Sequence, residues 1–227
     1  MLFYLPDLQQ DLLPETEARH VLQVLRLRKG DHISVTDGKG NRAQARILSE
    51  KASACRLEIV GNEYIAPFRQ EEIHLAVAPS KNADRMDWLV EKATEMGCNG
   101  FHFFKSERTG RNHLNIERLQ RIALSAIKQS GQYYLPEIHW YDRLSLLPFS
   151  DFERIIIADL SSTNSRLTQL PFRKMLFLIG PEGDFSPGEL EWLCGQQTES
   201  VRFLPQVLRT ETAALYALSL GILSLPG

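Results

Sequence analysis

The alternation of apolar and polar positions divides the chain into two parts. In the first, the periods are short. Phe3-Tyr4-Leu5 reads as an opening strand. Ala18, Val21, Leu22 and Leu25 then recur at helical spacing, which predicts a helix over 15–27, ended by Lys29-Gly30-Asp31. Ile33 and Val35 alternate with Ser34 and Thr36, and Ala43, Ala45 and Ile47 alternate beyond the turn at 37–41. Cys55, Leu57 and Ile59 alternate with Arg56 and Glu58 after a second turn at 49–53. The pattern predicts a small, mostly β module over 1–66. Residues 62–72 are polar, contain Pro67, and read as a linker.

From residue 72 onward strands alternate with helices. Strands are predicted at 73–78, 101–104, 138–140, 154–159 and 174–179, and one more opens at Val201. Helices are predicted at 86–96, with Gly97 as its C-terminal stop, at 114–130, from 187, and at 211–223. Such alternation implies an α/β domain over 72–227 with a parallel, doubly wound sheet. The unbroken apolar run Met175-Leu176-Phe177-Leu178-Ile179 suits a strand covered on both faces. Ser186, Pro187 and Glu189 match a capping box with Pro at the first helical position. The last helix is apolar almost all round and must be covered, either by the core or by a second copy of the chain.

Composition changes this picture little. The chain has 227 residues and a net charge of −2. Cys55, Cys98 and Cys194 are scattered, and the six histidines show no paired ligand spacing, so no metal site is expected. The run 213–225 is shorter than the roughly 20 residues a membrane helix needs, and no signal peptide is evident, so a cytoplasmic protein with reduced thiols is expected. Charge is unevenly placed. Residues 19–56 carry nine basic against three acidic side chains, a net of +6, and 105–128 carry six against two, a net of +4. Concentrated positive charge in a neutral chain fits RNA phosphates, and it fits a solvated basic face as well.

Two stretches carry candidate chemistry. Leu178-Ile179-Gly180-Pro181-Glu182-Gly183-Asp184-Phe185-Ser186 is a strand, a Gly/Pro loop and a helix start. Val201-Arg202-Phe203-Leu204-Pro205-Gln206-Val207-Leu208-Arg209-Thr210-Glu211-Thr212-Ala213 repeats the plan. Both loops are expected at the carboxyl ends of neighbouring strands, where open α/β sheets hold ligands. Glycine at 180 and 183 is expected to let backbone groups approach a ligand closely. A Rossmann-type nucleotide binder is disfavoured, because 76–85, after the first strand of this part, contains no glycine.

Together these motifs resemble the SPOUT-class RNA methyltransferases and, more narrowly, the RsmE family, which methylates N3 of a uridine in small-subunit (16S) ribosomal RNA. The resemblance extends over nearly the whole chain. His20-Val21-Leu22-Gln23-Val24-Leu25-Arg26 with Lys29-Gly30-Asp31 is similar to that family's PUA-like RNA-binding domain, and Ser106-Glu107-Arg108 and Gln129-Ser130 match short family segments. The resemblance implies a C-terminal SPOUT-type parallel sheet with a trefoil knot, preceded by a small PUA-like β-barrel domain. It also implies a homodimer, ribosomal RNA or the assembled small subunit as partner, and S-adenosyl-L-methionine as methyl donor.

The implied cofactor pocket comprises Leu160, Ser161, Ile179, Gly180, Pro181, Glu182, Gly183, Leu204, Val207, Leu208, Thr212 and Ala213. Implied RNA contacts are Arg19, Arg26, Arg28, Lys29, Lys81, Arg85, Ser106, Glu107, Arg108 and Gln129. A neutral uracil N3 carries a proton that must leave, so an anion must be held. Arg209 is the candidate for that task, and Glu211 or Glu182 for accepting the proton or positioning Arg209. The chain departs from the family pattern at Gln132, Asp184, Leu204 and Gln206. Two other readings stay open: methylation of another RNA nucleotide, and an inactive RNA-binding homologue.

Overall fold

The structure is a computed structural model that describes residues 1–110, 113–165, 167 and 171–225. Its contacts group into two units, Met1–Phe68 with Leu124–Leu135, and Arg69–Ala123 with Pro136–Gly227.

The first unit holds β1 (Leu2–Tyr4), α1 (Glu15–Arg19), β2 (His32–Thr36), β3 (Asn41–Ile47) and β4 (Leu57–Tyr64). The strands form one sheet in the order β1-β2-β3-β4, parallel between β1 and β2 and antiparallel elsewhere. Phe3, Leu5, Leu13, Ala18, Val21, Ile33, Val35, Ala43, Ala45, Ile47 and Leu57 form its core. The single helix expected over 15–27 is not observed. α1 passes into a π-helical turn at His20–Val24, where the Leu25 N–H donates to the His20 carbonyl at 3.0 Å, and Arg26 then takes a left-handed φ of 57°. The wider turn lets Ala18, Val21 and Leu22 all face the core, so packing overrides the uniform period.

The expected linker is also shorter. β4 continues to Tyr64, with Asn62, Glu63 and Tyr64 paired to Ala43, Arg42 and Asn41. All three are exposed, so their side chains show no alternation to betray a strand. Residues 131–135 close this unit: the Leu135 N–H donates to the Gly38 carbonyl, the Gly40 N–H to the Tyr133 carbonyl, and the Tyr134 hydroxyl to the Ile65 carbonyl.

The second unit contains β5 (Glu72–Val77), α2 (Ala83–Glu95), β6 (Gly100–Phe104), the start of α3 (Ile116–Ser130), β7 (Glu137–Tyr141), β8 (Arg154–Ala158), β9 (Lys174–Ile179), α4 (Pro187–Cys194), β10 (Glu199–Val201) and α5 (Thr210–Leu223). Its six strands are all parallel, in the order β10-β8-β9-β5-β6-β7. β9 lies inside the sheet with Met175 to Ile179 buried, as the apolar run requires. On one face Ala76, Ala78, Leu176 and Leu178 pack with Leu193 of α4 and with Leu144 and Leu147. On the other, α5 lies on β5 and β9 and beside α2. The contact is close, since a Cβ on Gly221 would stand 2.8 Å from the Phe177 ring.

Two expectations about the strands are corrected. The strand expected to open at Val201 ends there; 202–209 is loop. β9 and β10 are not neighbours, because β8 lies between them and pairs in parallel with both.

A row of polar side chains crosses this sheet. The His74 ring is 3.1 Å from that of His102, which is 3.2 Å from the Tyr141 hydroxyl, and His74 also meets Glu72 at 3.2 Å. His74 and His102 are buried. Burial, then the neighbouring His74, His139 and Lys174, pushes His102 down to about 3. Burial also lowers His74.

Candidate active site

The segments that follow β5, β8, β9 and β10 converge at the carboxyl end of the sheet, where doubly wound folds place their ligands. They enclose a cavity of about 380 Å³. Its apolar lining comes from Leu160, Ile179, Pro181, Phe203, Leu204, Val207, Leu208 and Ala213. Three carboxylates, Asp159, Glu182 and Asp184, and two guanidiniums, Arg85 and Arg209, stand around it.

Local sequence explains how these groups are presented. After β9 the chain turns at Pro181, whose carbonyl accepts the Asp184 N–H at 2.9 Å. Asp184 has φ 60°, the left-handed conformation that favours glycine. Its own carboxylate accepts the Phe185 N–H at 2.8 Å, local bonding of the kind that lets Asp occupy this region. The departure at 184 therefore keeps the turn. α4 then starts with the expected capping box: Ser186 Oγ accepts the Glu189 N–H and Glu189 Oε2 accepts the Ser186 N–H.

Glu189 has a second task that its position in the chain conceals. It is buried, and it also accepts the Ser106 hydroxyl and the Glu107 N–H, both at 3.0 Å. Arg108 Nη1 donates to the carbonyls of Gly183, at 3.0 Å, and Phe185, at 3.3 Å. The segment after β6 is thus fastened to the loop after β9. Ser106 is buried in this joint, whereas Glu107 and Arg108 remain exposed.

Arg209 is the N-cap residue of α5, and its side chain caps nothing. It is exposed at the cavity and forms no ion pair among the described residues. Arg85, in the first turn of α2, is committed instead: Nη1 lies 3.0 Å from Glu182 Oε1 and Nε 3.6 Å from Glu211 Oε1. Glu211 is buried, and its Oε2 has no hydrogen-bond partner among the described residues.

Most of the expected cofactor residues line the cavity: Leu160, Ile179, Gly180, Pro181, Glu182, Leu204, Val207, Leu208 and Ala213. Ser161, Gly183 and Thr212 do not. Ser161 donates to Asp159, Gly183 offers its carbonyl to Arg108, and Thr212 is exposed. Gln206, within the expected Leu204–Leu208 stretch, lines it too; Asp159, Phe203 and Thr210 do so without having been singled out as cofactor residues, and Arg85 stood among the RNA contacts. Phe203, Gln206 and Thr210 all belong to the second motif stretch, whereas Asp159 carried no sequence signal. The reason for Gly180 also changes. A Cβ there would meet the Phe185 ring at 3.0 Å, so the ring would have to give way by a few tenths of an ångström, and internal packing favours the glycine. At Gly183 a Cβ would find only ordinary contact with Arg108, at 3.7 Å.

In the first unit, Arg19, Arg26, Arg28 and Lys29 are all exposed. Five of the nine basic residues of 19–56 are ion-paired: Arg19 with Glu15, Arg28 with Glu50, Arg42 with Glu63, Arg46 with Glu58 and Arg56 with Asp11. Four of those acids lie outside the counted segment, so the local excess of +6 overstates the unpaired charge. Exposed pairs of this kind are weak and give way readily. Lys81 and Gln129 are exposed as well, and Arg111, in the second basic segment, lies outside the described residues. Among the described residues there is no group of three or more His, Cys, Asp or Glu able to hold a metal, and no helix long and apolar enough to cross a membrane.

An RNA methyltransferase domain family model matches residues 67–221, and an RNA methyltransferase PUA domain model matches 13–60. The ribosomal RNA small subunit methyltransferase E of Aquifex aeolicus is 30% identical, over 92% of each chain. The chain belongs to this RNA methyltransferase family. Its fold agrees with solved structures of that family. A probable rRNA-methyltransferase from Porphyromonas gingivalis superposes with a TM-score of 0.88 at 35% identity, covering 98% of this chain and 97% of that one. The ribosomal RNA small subunit methyltransferase E of Neisseria gonorrhoeae, bound to S-adenosyl methionine, gives 0.82 at 28% identity, covering 96% and 94%. The PUA model falls within the first unit, and the methyltransferase model covers most of the second together with Leu124–Leu135 of the first.

Proposed function

We propose that the protein transfers a methyl group from S-adenosyl-L-methionine to N3 of a uridine in small-subunit ribosomal RNA. The observation that carries this reading is Arg209: an exposed guanidinium without an ion-pair partner among the described residues, beside an apolar cavity, at the start of a helix. Backbone N–H groups at a helix N-terminus already favour an anion, and the guanidinium adds a full, permanent charge in a planar fork. A uracil that has lost its N3 proton is such an anion.

The cavity fits the donor. Its volume lies in the range of small-molecule sites, its apolar walls suit an adenosyl group, and its three carboxylates suit a cationic ligand. When bound, the donor supplies an activated methyl on a sulfonium and leaves as a neutral thioether. The chain's own groups do the rest. Apolar residues exclude water, Arg209 holds the uracil anion, and Glu211 or Glu182 takes the N3 proton. One N–H bond is exchanged for one N–CH₃ bond, and the proton passes from the carboxylate to solvent.

The same reading includes RNA contacts from Arg19, Arg26, Arg28 and Lys29 in the first unit, and from Lys81, Glu107, Arg108 and Gln129. It also includes a trefoil knot in the C-terminal segment, a cytoplasmic location and a homodimer. The dimer is supported by α5, whose Leu215, Tyr216, Leu220 and Ile222 are only half-buried and whose Leu223 is exposed. Sedimentation at micromolar concentration tests it, and an active monomer would exclude it.

The deciding experiment is tritium transfer from labelled donor to small ribosomal subunits and to naked 16S RNA, with the modified nucleotide mapped by mass spectrometry. One 3-methyluridine is expected. Label on another nucleotide would point to Leu204 and Gln206, which line the cavity and depart from the family pattern, and transfer to neither RNA would leave an RNA-binding homologue.

A further inference from the structure

We propose that Arg85 is a positioning residue for methyl transfer rather than an RNA contact: it ties the loop after β9 to the start of α5 and thereby sets where Arg209 stands. The inference rests on the methyltransferase reading above. It begins from an oddity in the helix that carries Arg85. A cation in the first turn of an α-helix faces the positive end of the helix dipole and is disfavoured there. Arg85 occupies that turn in α2, so a compensating interaction is required.

The compensation comes from two carboxylates that are distant in the chain from Arg85. Glu182 belongs to the loop after β9, and its Oε1 is 3.0 Å from Arg85 Nη1. Glu211 belongs to the first turn of α5, and its Oε1 is 3.6 Å from Arg85 Nε. The two carboxylates come from the loop after β9 and from the helix start after β10, and Arg85 itself lines the cavity. One guanidinium therefore links three separately folded segments at the ligand site. A planar fork with fixed donors suits such a bridge, where a single ammonium would not.

The bridge reaches Arg209 through one turn of helix. Glu211 is two residues beyond Arg209, and the Ala213 N–H donates to the Arg209 carbonyl at 2.8 Å, so the first turn of α5 moves as a unit. Arg209 has no ion pair of its own among the described residues, and its side chain makes no cap. What holds its backbone is the helix start, and what anchors that start from the side is the Arg85–Glu211 pair. The buried carboxylate of Glu211, with Oε2 lacking a hydrogen-bond partner among the described residues, makes the tether to Arg85 count for more. The two arginines at the cavity thus divide the work: Arg85 is neutralised and holds the walls, and Arg209 is left free to meet an anion.

The test uses the full chain with R85Q, R85K, E211Q and the R85Q/E211Q double variant, each checked for folding by thermal melting. In single turnover with saturating donor and RNA, R85Q is expected to lose about 100-fold in rate, the scale of a misplacement near 1 Å. R85K should recover part of that loss. The double variant should be no slower than the slower single variant, because both remove the same tether. The salt dependence of RNA binding should stay at the wild-type slope. A slope lowered by about one with a normal rate at saturating RNA would make Arg85 a phosphate contact and overturn the proposal. A wild-type rate in R85Q, or additive losses in the double variant, would overturn it too. If the wild type transfers no methyl to ribosomal RNA, the functional reading fails. Donor affinity by calorimetry then reads the tether on its own, and additive effects of R85Q and E211Q there would exclude it.

Discussion

At the carboxyl rim of the parallel sheet, Arg85, Glu182 and Glu211 bring opposite charges within 3.0 and 3.6 Å of one another. Inside the same sheet, His74 and His102 are joined by a 3.1 Å contact, and burial drives both toward their neutral forms. The difference lies in what each environment offers a charge. A buried imidazole without a fully opposed carboxylate loses its proton. At the rim, the Arg85 guanidinium lies against the carboxylates of Glu182 and Glu211. The rim pairing leaves Glu211 Oε2 without a hydrogen-bond partner among the described residues, and the charge available for a reaction there is that of Arg209, which has no ion pair among them.

The sharpest way to break this contrast is Arg209→Ala. It removes the one guanidinium at the cavity without an ion pair among the described residues. Removing a donor of this kind typically costs about 10²–10³ in rate, and that loss is expected in single-turnover methyl transfer. Arg209→Lys should recover part of it. A wild-type rate for the alanine variant would make the arginine structural.

Next is Glu189→Ala, which pits packing against charge at the rim. The change leaves the Ser106 hydroxyl and the N–H groups of Glu107 and Ser186 without their acceptor, so a loss on the order of 3 kcal/mol is expected in denaturant unfolding. A loss within about 0.5 kcal/mol would mean that water replaces the carboxylate there.

The histidine row answers to pH. His102 is lowered from the ordinary 6.5 to about 3, so the unfolded chain binds a proton more readily than the folded one. Its contribution to stability is complete above pH 6.5 and is lost as pH falls from there toward 3. The slope is up to about 1.4 kcal/mol per pH unit from this group. Unfolding free energies measured from pH 7 to 4 should show it, and His102→Phe should flatten that limb. An identical slope in the variant would assign the acid sensitivity elsewhere.

The smallest effects separate the two glycines of the loop after β9. Gly180→Ala pushes a Cβ against Phe185 and should cost about 1 kcal/mol, whereas Gly183→Ala meets open contact and should stay within about 0.5 kcal/mol. Equal melting temperatures for the two variants would remove the packing role assigned to Gly180.

What could be read from the chain was local. Ser186 and Glu189 are three residues apart, so their capping box is visible without a fold, and the same holds for Gly97 closing α2. The buried run of β9 announced itself by composition, and the strand–helix alternation announced a parallel sheet. The PUA-like and methyltransferase segments were legible as motifs. These features depend on neighbours within a turn or two, which the backbone periods of 3.6 and 2.0 encode directly.

Tertiary structure alone decided which segments meet. Parallel strands are joined by long crossovers, so sequence order does not give spatial order, and β8 came to lie between β9 and β10. Ser106 found Glu189 across 83 positions, and Arg85 found Glu182 across 97. No local pattern marks such partners, because any exposed arginine and any glutamate look alike until the chain folds. The basic segment of the first unit shows the same limit, since most of the acids that pair with it lie outside it. The sequence by itself determined the elements, the class of fold and the loops where chemistry would gather. Folding determined which of those charges are neutralised by one another and which remain free.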